Sequence, residues 1–377
     1  MRFSINAEKM IALVSDVAKG VGNNKLLPIT SMIGIKYAGD TIALSSFDGA
    51  NLLRISVTEN RDGDAEDGEI TVNADMFIGL ISKLSDCSSI AFEVDKEHPI
   101  LSVLAYQGVK SIGAYKLELP LNEDGGIVKY LDLDSKKGDI STVGTVYELS
   151  TTLIKDMIAS CKPALATDVS ESCYTNYLVA EKIISTDRTR AVFLDNDGFK
   201  ENDKHYLLGR QFVDLLTLMG EGASLYIFDD HIYATDGQGT EIVTSSNGAL
   251  NDFNEKATDN MLKMEFPSMC KVKKSELLNT LNRMSLFCFK YDNNGIDITF
   301  DEDSMKISSL KSSAVEDIEY TEFKNVEPFD LRIDVTLLLP HVKSYASDIV
   351  ELHFGNKMCI KLVDGSVTQI IALVAKS

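Results

Sequence analysis

A short alternating strand followed by an amphipathic helix occurs three times in this sequence, and a second helix follows each time. In every helix mostly apolar residues recur at i, i+3, i+4 and i+7, the spacing that gives a helix one buried stripe. The first helices have the stripes Met10, Leu13, Val14, Val17; Ile154, Met157, Ile158, Cys161; and Leu277, Thr280, Leu281, Met284. The second helices have the stripes Phe77, Leu80, Ile81, Leu84; Phe212, Leu215, Leu216, Met219; and Leu338, His341, Val342, Tyr345. A threefold repeat constrains the fold strongly, because it makes each block a candidate domain with the same elements.

Alternating strand patterns separated by turn signals fill the rest of each block, which predicts an α+β fold of three repeated domains. The length of 377 residues agrees with more than one domain. Two stretches that mix Gly, Asp, Asn and Lys without periodicity are typical of linkers. The predicted division is 1–125 for the first domain, 126–145 for a linker, 146–250 for the second domain, 251–268 for a linker and 269–377 for the third domain.

Composition argues against several classes of function. The net charge of −20 argues against a large basic surface that coats nucleic acid. The six cysteines form no CxxC pair and the five histidines form no HExxH pattern, so we expect neither a metal site nor a cofactor. No spacing indicates a nucleophile with its base, so we expect no enzyme. No apolar run approaches the roughly 20 residues of a membrane helix, and the first ten residues are too polar for a secretory signal, which predicts a cytoplasmic protein.

The solvent faces of the six helices carry basic side chains. Their segments hold two more Lys and Arg than Asp and Glu, although the whole chain is strongly acidic. This asymmetry is expected if the helices face a polyanion and the remaining surface repels it. Lysines that merely solvate exposed helix faces would give the same pattern. The candidate residues are Lys19, Lys83, Lys155, Arg210, Arg283 and Lys343.

The amino terminus carries a resemblance to a known family. Met1-Arg2-Phe3 opens the first strand and helix, and Leu27-Pro28-Ile29 precedes the next two strands. Val72-Asn73-Ala74 leads into the second helix, and Thr186-Asp187 occurs in the second block. With the three repeats, these pieces resemble the bacterial sliding clamp, the β subunit of DNA polymerase III, over essentially the whole chain.

The resemblance implies three DNA-clamp domains, each with two helices packed on antiparallel sheets. Two chains would close head to tail into a homodimeric ring around duplex DNA, bound without regard to sequence. The clamp would tether a DNA polymerase and would have no catalytic site of its own. The resemblance also makes Lys25 a candidate DNA-contacting residue. The candidate edge strands at the dimer contact are Lys110 to Leu119 and Ile296 to Leu310.

The resemblance also implies a pocket between the second and third domains for short linear peptides of the polymerase and the clamp loader. The family's Thr-Asp-Gly-His-Arg-Leu stretch becomes Thr-Asp-Arg-Thr-Arg-Ala here, and its terminal Val-Val-Met-Pro-Met-Arg-Leu becomes Ile-Ala-Leu-Val-Ala-Lys-Ser. The implied peptide site is Thr175, Thr186, Arg188, Thr189, Arg190, Ala191, Cys359, Ile371, Ala372, Leu373, Val374 and Ala375. These departures indicate a divergent member, such as one encoded by a phage or plasmid, and predict weaker binding of the usual clamp-binding peptide. Surface arginines that are merely solvated would give the same sequence at Arg188 and Arg190.

Two alternatives to a clamp stay open at this point: an interaction or assembly protein, and an enzyme whose site is dispersed along the sequence. A noncatalytic interaction or assembly protein built from repeated domains, which does not encircle DNA, would keep the repeat but need no cationic helix faces.

Pro340 lies inside the last helix, beyond the first turn where proline is tolerated, so that helix is expected to be kinked or to begin later than Val335.

Overall fold

The computed structural model describes residues 1–60, 63–95, 98–143, 146–168, 173–199, 204–245, 250, 252–310, 313–324 and 329–375. The helices are α1 (Ala7–Val17), α2 (Ala74–Ile81), α3 (Thr151–Asp156), α4 (Arg210–Leu216), α5 (Glu255–Leu262), α6 (Lys274–Met284) and α7 (Val335–Ser344). Asn6, Asn73, Asn254 and Asp334 begin four of them, each side chain accepting a backbone N–H of the first turn. Among these residues no helix is long and apolar enough to cross a membrane.

The chain forms two compact units, Met1–Thr151 with Gln211–Ser246 and Thr152–Arg210 with Asn247–Ser377. The first unit has a four-stranded antiparallel sheet in the order β1 (Arg2–Asn6), β6 (Ser89–Val94), β7 (Ile100–Gln107), β8 (Lys110–Glu118). Its second sheet has the order β5 (Gly68–Asn73), β2 (Met32–Ala38), β3 (Thr41–Phe47), β4 (Asn51–Thr58), β16 (Thr240–Ser245), β15 (His231–Thr235), β14 (Ala223–Ile227), β9 (Val146–Leu149).

The second unit also has two antiparallel sheets. The larger has the order β13 (Tyr206–Gly209), β10 (Asn176–Val179), β11 (Lys182–Thr186), β12 (Arg190–Asp195), β25 (Val367–Ala372), β24 (Cys359–Asp364), β23 (Ile349–Phe354), β17 (Ser268–Lys273), β21 (Glu322–Lys324). The smaller has the order β20 (Val315–Glu319), β19 (Ser304–Ser309), β18 (Gly295–Phe300), β22 (Phe329–Asp334).

Strands of successive repeats share sheets. In the first unit β4 pairs with β16, and in the second unit β12 pairs with β25. Both contacts are continuous antiparallel ladders, so main-chain hydrogen bonds join one repeat to the next. The second repeat therefore contributes strands to both compact units, and the division into three domains stays a prediction.

The helix stripes form much of the core. Every stripe residue named from the sequence is buried except Leu80 and Ile158, which are half-buried. Ile158 lies in a π turn, Met157–Cys161, which continues α3. Because a π turn holds more residues than an α turn, the 3.6-residue spacing fails there.

Three expectations need correction or completion. The segment Ile296 to Leu310 is not an edge, because it forms β18 and β19 in the middle of the smaller sheet, whose edges are β20 and β22. The proposed linker 251–268 contains the helix α5. The last helix does not begin late: α7 begins at Val335 with Asp334 as its cap and includes Pro340.

Candidate nucleic-acid and peptide interfaces

The seven cations proposed to contact DNA are all exposed, and six of them lie on or beside helices. Lys155, Arg283 and Lys343 are in the last turns of α3, α6 and α7. Lys19 and Lys83 each lie two residues after the end of α1 and α2, and Arg210 is the first residue of α4. Within the units α1 packs against α2 and α6 packs against α7, so their cations lie on neighbouring elements.

Lys25, the seventh cation, lies on an ordered loop. The backbone N–H of Gly22 donates to the carbonyl of buried Thr30 at 2.9 Å, and that of Asn24 donates to Thr30 Oγ1 at 3.1 Å. The Asn24 side chain accepts from the Leu26 N–H at 2.9 Å. These bonds hold the loop, so the exposed Lys25 side chain projects from a defined backbone.

Two of the seven cations are paired with carboxylates. Arg283 donates from Nε to Glu316 Oε1 at 2.8 Å, and its guanidinium holds the pKa of Glu316 below its usual range. Lys19 Nζ lies 2.8 Å from Asp16 Oδ1. In the described part of the chain Lys25, Lys83, Lys155, Lys343 and Arg210 form no ion pair. These five side chains therefore offer their full charge to a phosphate.

The peptide site implied by the sequence centres on a turn between β11 and β12, which we call the 186–190 turn (Thr186 to Arg190). Asp187 Oδ1 accepts the N–H groups of Thr189 and Arg190 at 3.0 and 3.1 Å, and its Oδ2 accepts Arg190 Nε at 2.9 Å. Thr186 Oγ1 accepts the Arg188 N–H at 3.0 Å and donates to the Arg190 carbonyl at 2.7 Å. The Thr, Asp and second Arg that match the family stretch are thus the residues that build the turn.

Arg188 takes a left-handed backbone conformation, with φ of 71°. Glycine is the residue that adopts this conformation without strain, and the family stretch has Gly at this position. The guanidinium of Arg188 lies 5.0 Å from the centre of the Tyr174 ring, within the range of a cation–π contact. Thr175 follows Tyr174 directly in the chain.

The remaining peptide-site residues lie on adjacent strands. Arg190 is paired with Ile371 and Cys359 with Ala372 in the larger sheet of the second unit. The chain then continues past β25, where Leu373 N–H donates to the Met358 carbonyl and Val374 N–H to the Arg332 carbonyl, both at 2.8 Å. Ala375 is exposed at the end of this segment. The structure thus brings the 186–190 turn and the carboxyl-terminal strand together.

Sequence reasoning missed a third contributor, the end of α5 and the segment that follows it. Met261, Met264 and Phe266 pack against the cluster that contains Ala191 and Cys359. Cys359 Sγ lies 3.2 Å from Met264 Sδ, and burial raises the pKa of the thiol. The run of Met and Phe is the available signal, but it has no helical period and lies in the segment that the sequence predicts as a linker.

No group of three His, Cys, Asp or Glu side chains in the described ranges lies close enough to hold a metal ion.

Comparison with known proteins identifies the fold. Residues 1–105 match the family model described as DNA polymerase III beta subunit, N-terminal domain. The match lies within the first predicted domain. No curated protein sequence matches the chain.

Solved structures of DNA polymerase III beta subunits resemble this protein over its full length. The beta subunit of Pseudomonas aeruginosa superposes with a TM-score of 0.82 at 17% identity, and 100% of both chains is covered. That of Streptococcus pyogenes gives 0.81 at 20% identity, again over 100% of both chains. The Borrelia burgdorferi beta subunit, solved in complex with a natural product, gives 0.84 at 14% identity over 100% of this chain and 99% of that chain. The fold is therefore that of the beta subunit from end to end.

Proposed function

We propose that this protein is a sliding clamp, which encircles duplex DNA and tethers a DNA polymerase for processive replication without a catalytic site. The observation that carries the proposal is the agreement of fold over the whole chain with beta subunits, together with the exposed cations on its helices. We expect it to work in the cytoplasm, where replication takes place.

The seven cations suit a protein that must slide. Contacts to phosphate oxygens position a protein on a duplex but carry no sequence information. A few separate lysines and arginines give weak, salt-sensitive attraction, whereas a dense basic cleft would hold DNA in one place. The acidic remainder of the surface repels DNA elsewhere.

Two edge strands favour a head-to-tail homodimer. The outer edge of β8 has the exposed apolar side chains Val109, Ile112 and Tyr115 on or beside it, and β20 is the edge of the smaller sheet and exposes Val315. Unpaired strand edges offer main-chain hydrogen bonds to another chain. Their net charges are opposite, since β8 carries Lys110, Lys116 and Glu118 whereas β20 carries Glu316, Asp317 and Glu319. A contact between two different surfaces can close into a ring.

The peptide site would receive short linear segments of the polymerase and the clamp loader. Apolar anchors would be buried against the cluster of Tyr174, Ala191 and Cys359, while Arg188 and Arg190 at the rim would favour an acidic residue beside them. Methionines at positions 261 and 264 make this surface adaptable. We expect the usual clamp-binding peptide to bind less tightly than to a typical family member.

Topological retention on DNA tests the clamp function. The protein is incubated with nicked circular plasmid, closed with a lysine-reactive cross-linker and passed through a sizing column in 1 M salt. We expect it to elute with the circle and to be released when the plasmid is cut before the column, because only a threaded ring survives screening of its attraction to phosphates.

Equal release from circular and linear DNA would contradict the clamp function. Filaments in electron micrographs of the same sample would instead favour an assembly protein.

A further inference from the structure

Helix α7 buries a histidine that lacks ordinary hydrogen bonds. His341 is fully buried, and neither ring nitrogen has a hydrogen-bond partner. Gln369 on β25 is also buried, and its Oε1 has no partner. Since buried polar atoms are nearly always paired, two such side chains packed together call for an explanation.

The side chains around the ring belong to the peptide site. Gln369 faces His341, and the charged groups that act on the ring are Arg190 and Asp187 of the 186–190 turn. These two form an ion pair and are only 13% and 18% exposed. Gln369 is paired with Val192 on β12, the strand that begins at Arg190. The ring is therefore packed beneath the turn that borders the peptide site.

Other elements packed on α7 are α6, β22, β25 and the π turn 157–161. Their charged side chains are largely committed elsewhere, Arg283 to Glu316 and Arg332 to Asp297. The titratable groups on these elements are Lys274, Glu276, Arg283, Asp330, Arg332, Asp334 and Cys161, and Lys343 is on α7 itself.

A neutral ring suits this environment and a charged ring does not. A neutral imidazole has one N–H donor, for which the facing Gln369 oxygen offers an acceptor, and one acceptor nitrogen. An imidazolium would lie in the core near the Arg190 guanidinium. Burial, and then Arg190, lower the pKa of His341 to about 4. If the turn opens, Arg190 leaves, water enters and the ring regains its ordinary basicity.

We propose that His341 is a positioning residue for the 186–190 turn: its neutral ring keeps the turn closed, and protonation of the ring in mild acid accompanies opening of the turn. The device rests on the proposed function only in that the turn borders the peptide site. It makes the partner surface of this protein sensitive to acid.

Hydrogen exchange of the turn amides tests this inference in the intact protein. The N–H groups of Thr189 and Arg190 are bound to Asp187, and a matched turn elsewhere has the N–H groups of Gln238 and Thr240 bound to Asp236. Between pH 7.5 and 5.5 we expect protection of the first pair to fall about tenfold after correction for intrinsic rates. At pH 5.5, one unit below the ordinary histidine pKa of about 6.5, the ring of an open turn is protonated about ten times more often than it is neutral, and this favours opening by the same factor. Protection at the Asp236 turn is expected to stay constant.

Variants separate His341 from other causes. His341→Leu is expected to abolish the fall at the 186–190 turn, whereas His353→Leu, which removes a half-buried histidine of the same unit, leaves it intact. If His341→Leu does not fold, His341→Gln keeps a polar partner for Gln369 and cannot titrate near neutral pH. A fall that persists without His341, or one of equal size at both turns, overturns the inference.

A separate arm reports on the proposed function. Saturation with the usual clamp-binding peptide at pH 7.5 should raise the protection of Thr189 and Arg190. If it does not, the peptide site is misplaced. The acid dependence of the turn is decided separately, by the exchange measurements at the two pH values.

Discussion

At the scale of single residues, Arg188 has a strained backbone conformation at a position of the proposed peptide site. A side chain with a Cβ is strained in the left-handed conformation by roughly 1–2 kcal/mol. The contact with Tyr174 offsets part of this strain, by about 0.5–1 kcal/mol for an exposed cation–π pair. An arginine at a position that favours glycine suggests that its charge is used at the peptide site.

Substitution of Arg188 separates strain from contact. Both Arg188→Ala and Arg188→Gly remove the cation–π pair, but only glycine relieves the backbone strain. We expect the glycine variant to have the higher free energy of unfolding, by about 1 kcal/mol, in urea denaturation. At exposed Lys357, whose φ is not positive, the order should reverse, because alanine restricts the unfolded chain. An alanine variant of Arg188 at least as stable as the glycine variant would show that the turn is unstrained.

At the scale of elements, residues 128–139 form a strap across the eight-stranded sheet of the first unit. Tyr130 packs on Gly34 of β2, where an added Cβ would come within 2.6 Å of the ring. Arg54 of β4 donates to Asp134 of the strap at 2.8 Å and to Glu241 of β16 at 2.7 Å. The guanidinium thus ties the strap to both strands that join the first repeat to the second.

The strap predicts an acid dependence of stability. Hydrogen bonds from Arg54 hold the pKa of Asp134 well below its usual range. A lowered pKa in the folded state means that the stabilisation is complete above about pH 4, the ordinary value, and disappears as pH falls below it. We expect Asp134→Asn to lower the free energy of unfolding at pH 7 by at most about 1 kcal/mol, because the carboxylate is 45% exposed.

The difference between wild type and Asp134→Asn should shrink steadily in urea denaturations below pH 4. Asp124→Asn, which removes an exposed carboxylate with no ion pair in the described residues, is the matched control. A difference that is constant with pH would show that Asp134 acts through packing alone.

The exposed lysines without ion pairs, three on or beside helices and one on the loop at Lys25, are predicted to contact DNA. Replacing Lys25, Lys83, Lys155 and Lys343 by Ala should weaken duplex binding and flatten the log-log salt dependence by up to about 3.6, at roughly 0.9 for each phosphate that is no longer neutralised. The control replaces Lys36, Lys306, Lys324 and Lys357, which are exposed on strands and loops and change the net charge equally. Fluorescence anisotropy over a salt series measures both. Equal slopes for the two quadruple variants would mean that net charge, and not the helix faces, determines binding.

At the scale of the whole molecule, the homodimer needs two different surfaces. We expect the wild type to sediment at twice its mass of 41.5 kDa, and Ile112→Asp and Val315→Asp each to sediment as monomers, because each buries a charge at every contact. Mixing the two variants should restore a dimer, since one contact then combines an intact β8 edge with an intact β20 edge. Met76→Asp, at an exposed apolar position on α2, should remain dimeric.

Sedimentation velocity at micromolar concentration distinguishes the arrangements. If only Ile112→Asp dissociates the dimer, the contact joins two β8 edges and cannot be head to tail. If neither does, the contact lies elsewhere.

The sequence by itself determined the repeat, the helix stripes and the family resemblance. Helix periodicity is local, so Leu13 or Leu281 can be assigned to the core from its neighbours alone. Strand order is not local: that Ile296 to Leu310 forms the middle of a sheet, or that Arg190 lies beside Ile371, depends on pairing between distant segments. The same holds for His341, which the stripe placed correctly in the core. Only the tertiary structure decided that Gln369, Asp187 and Arg190 surround it, because burial and charge at a side chain are set by elements far apart in the chain.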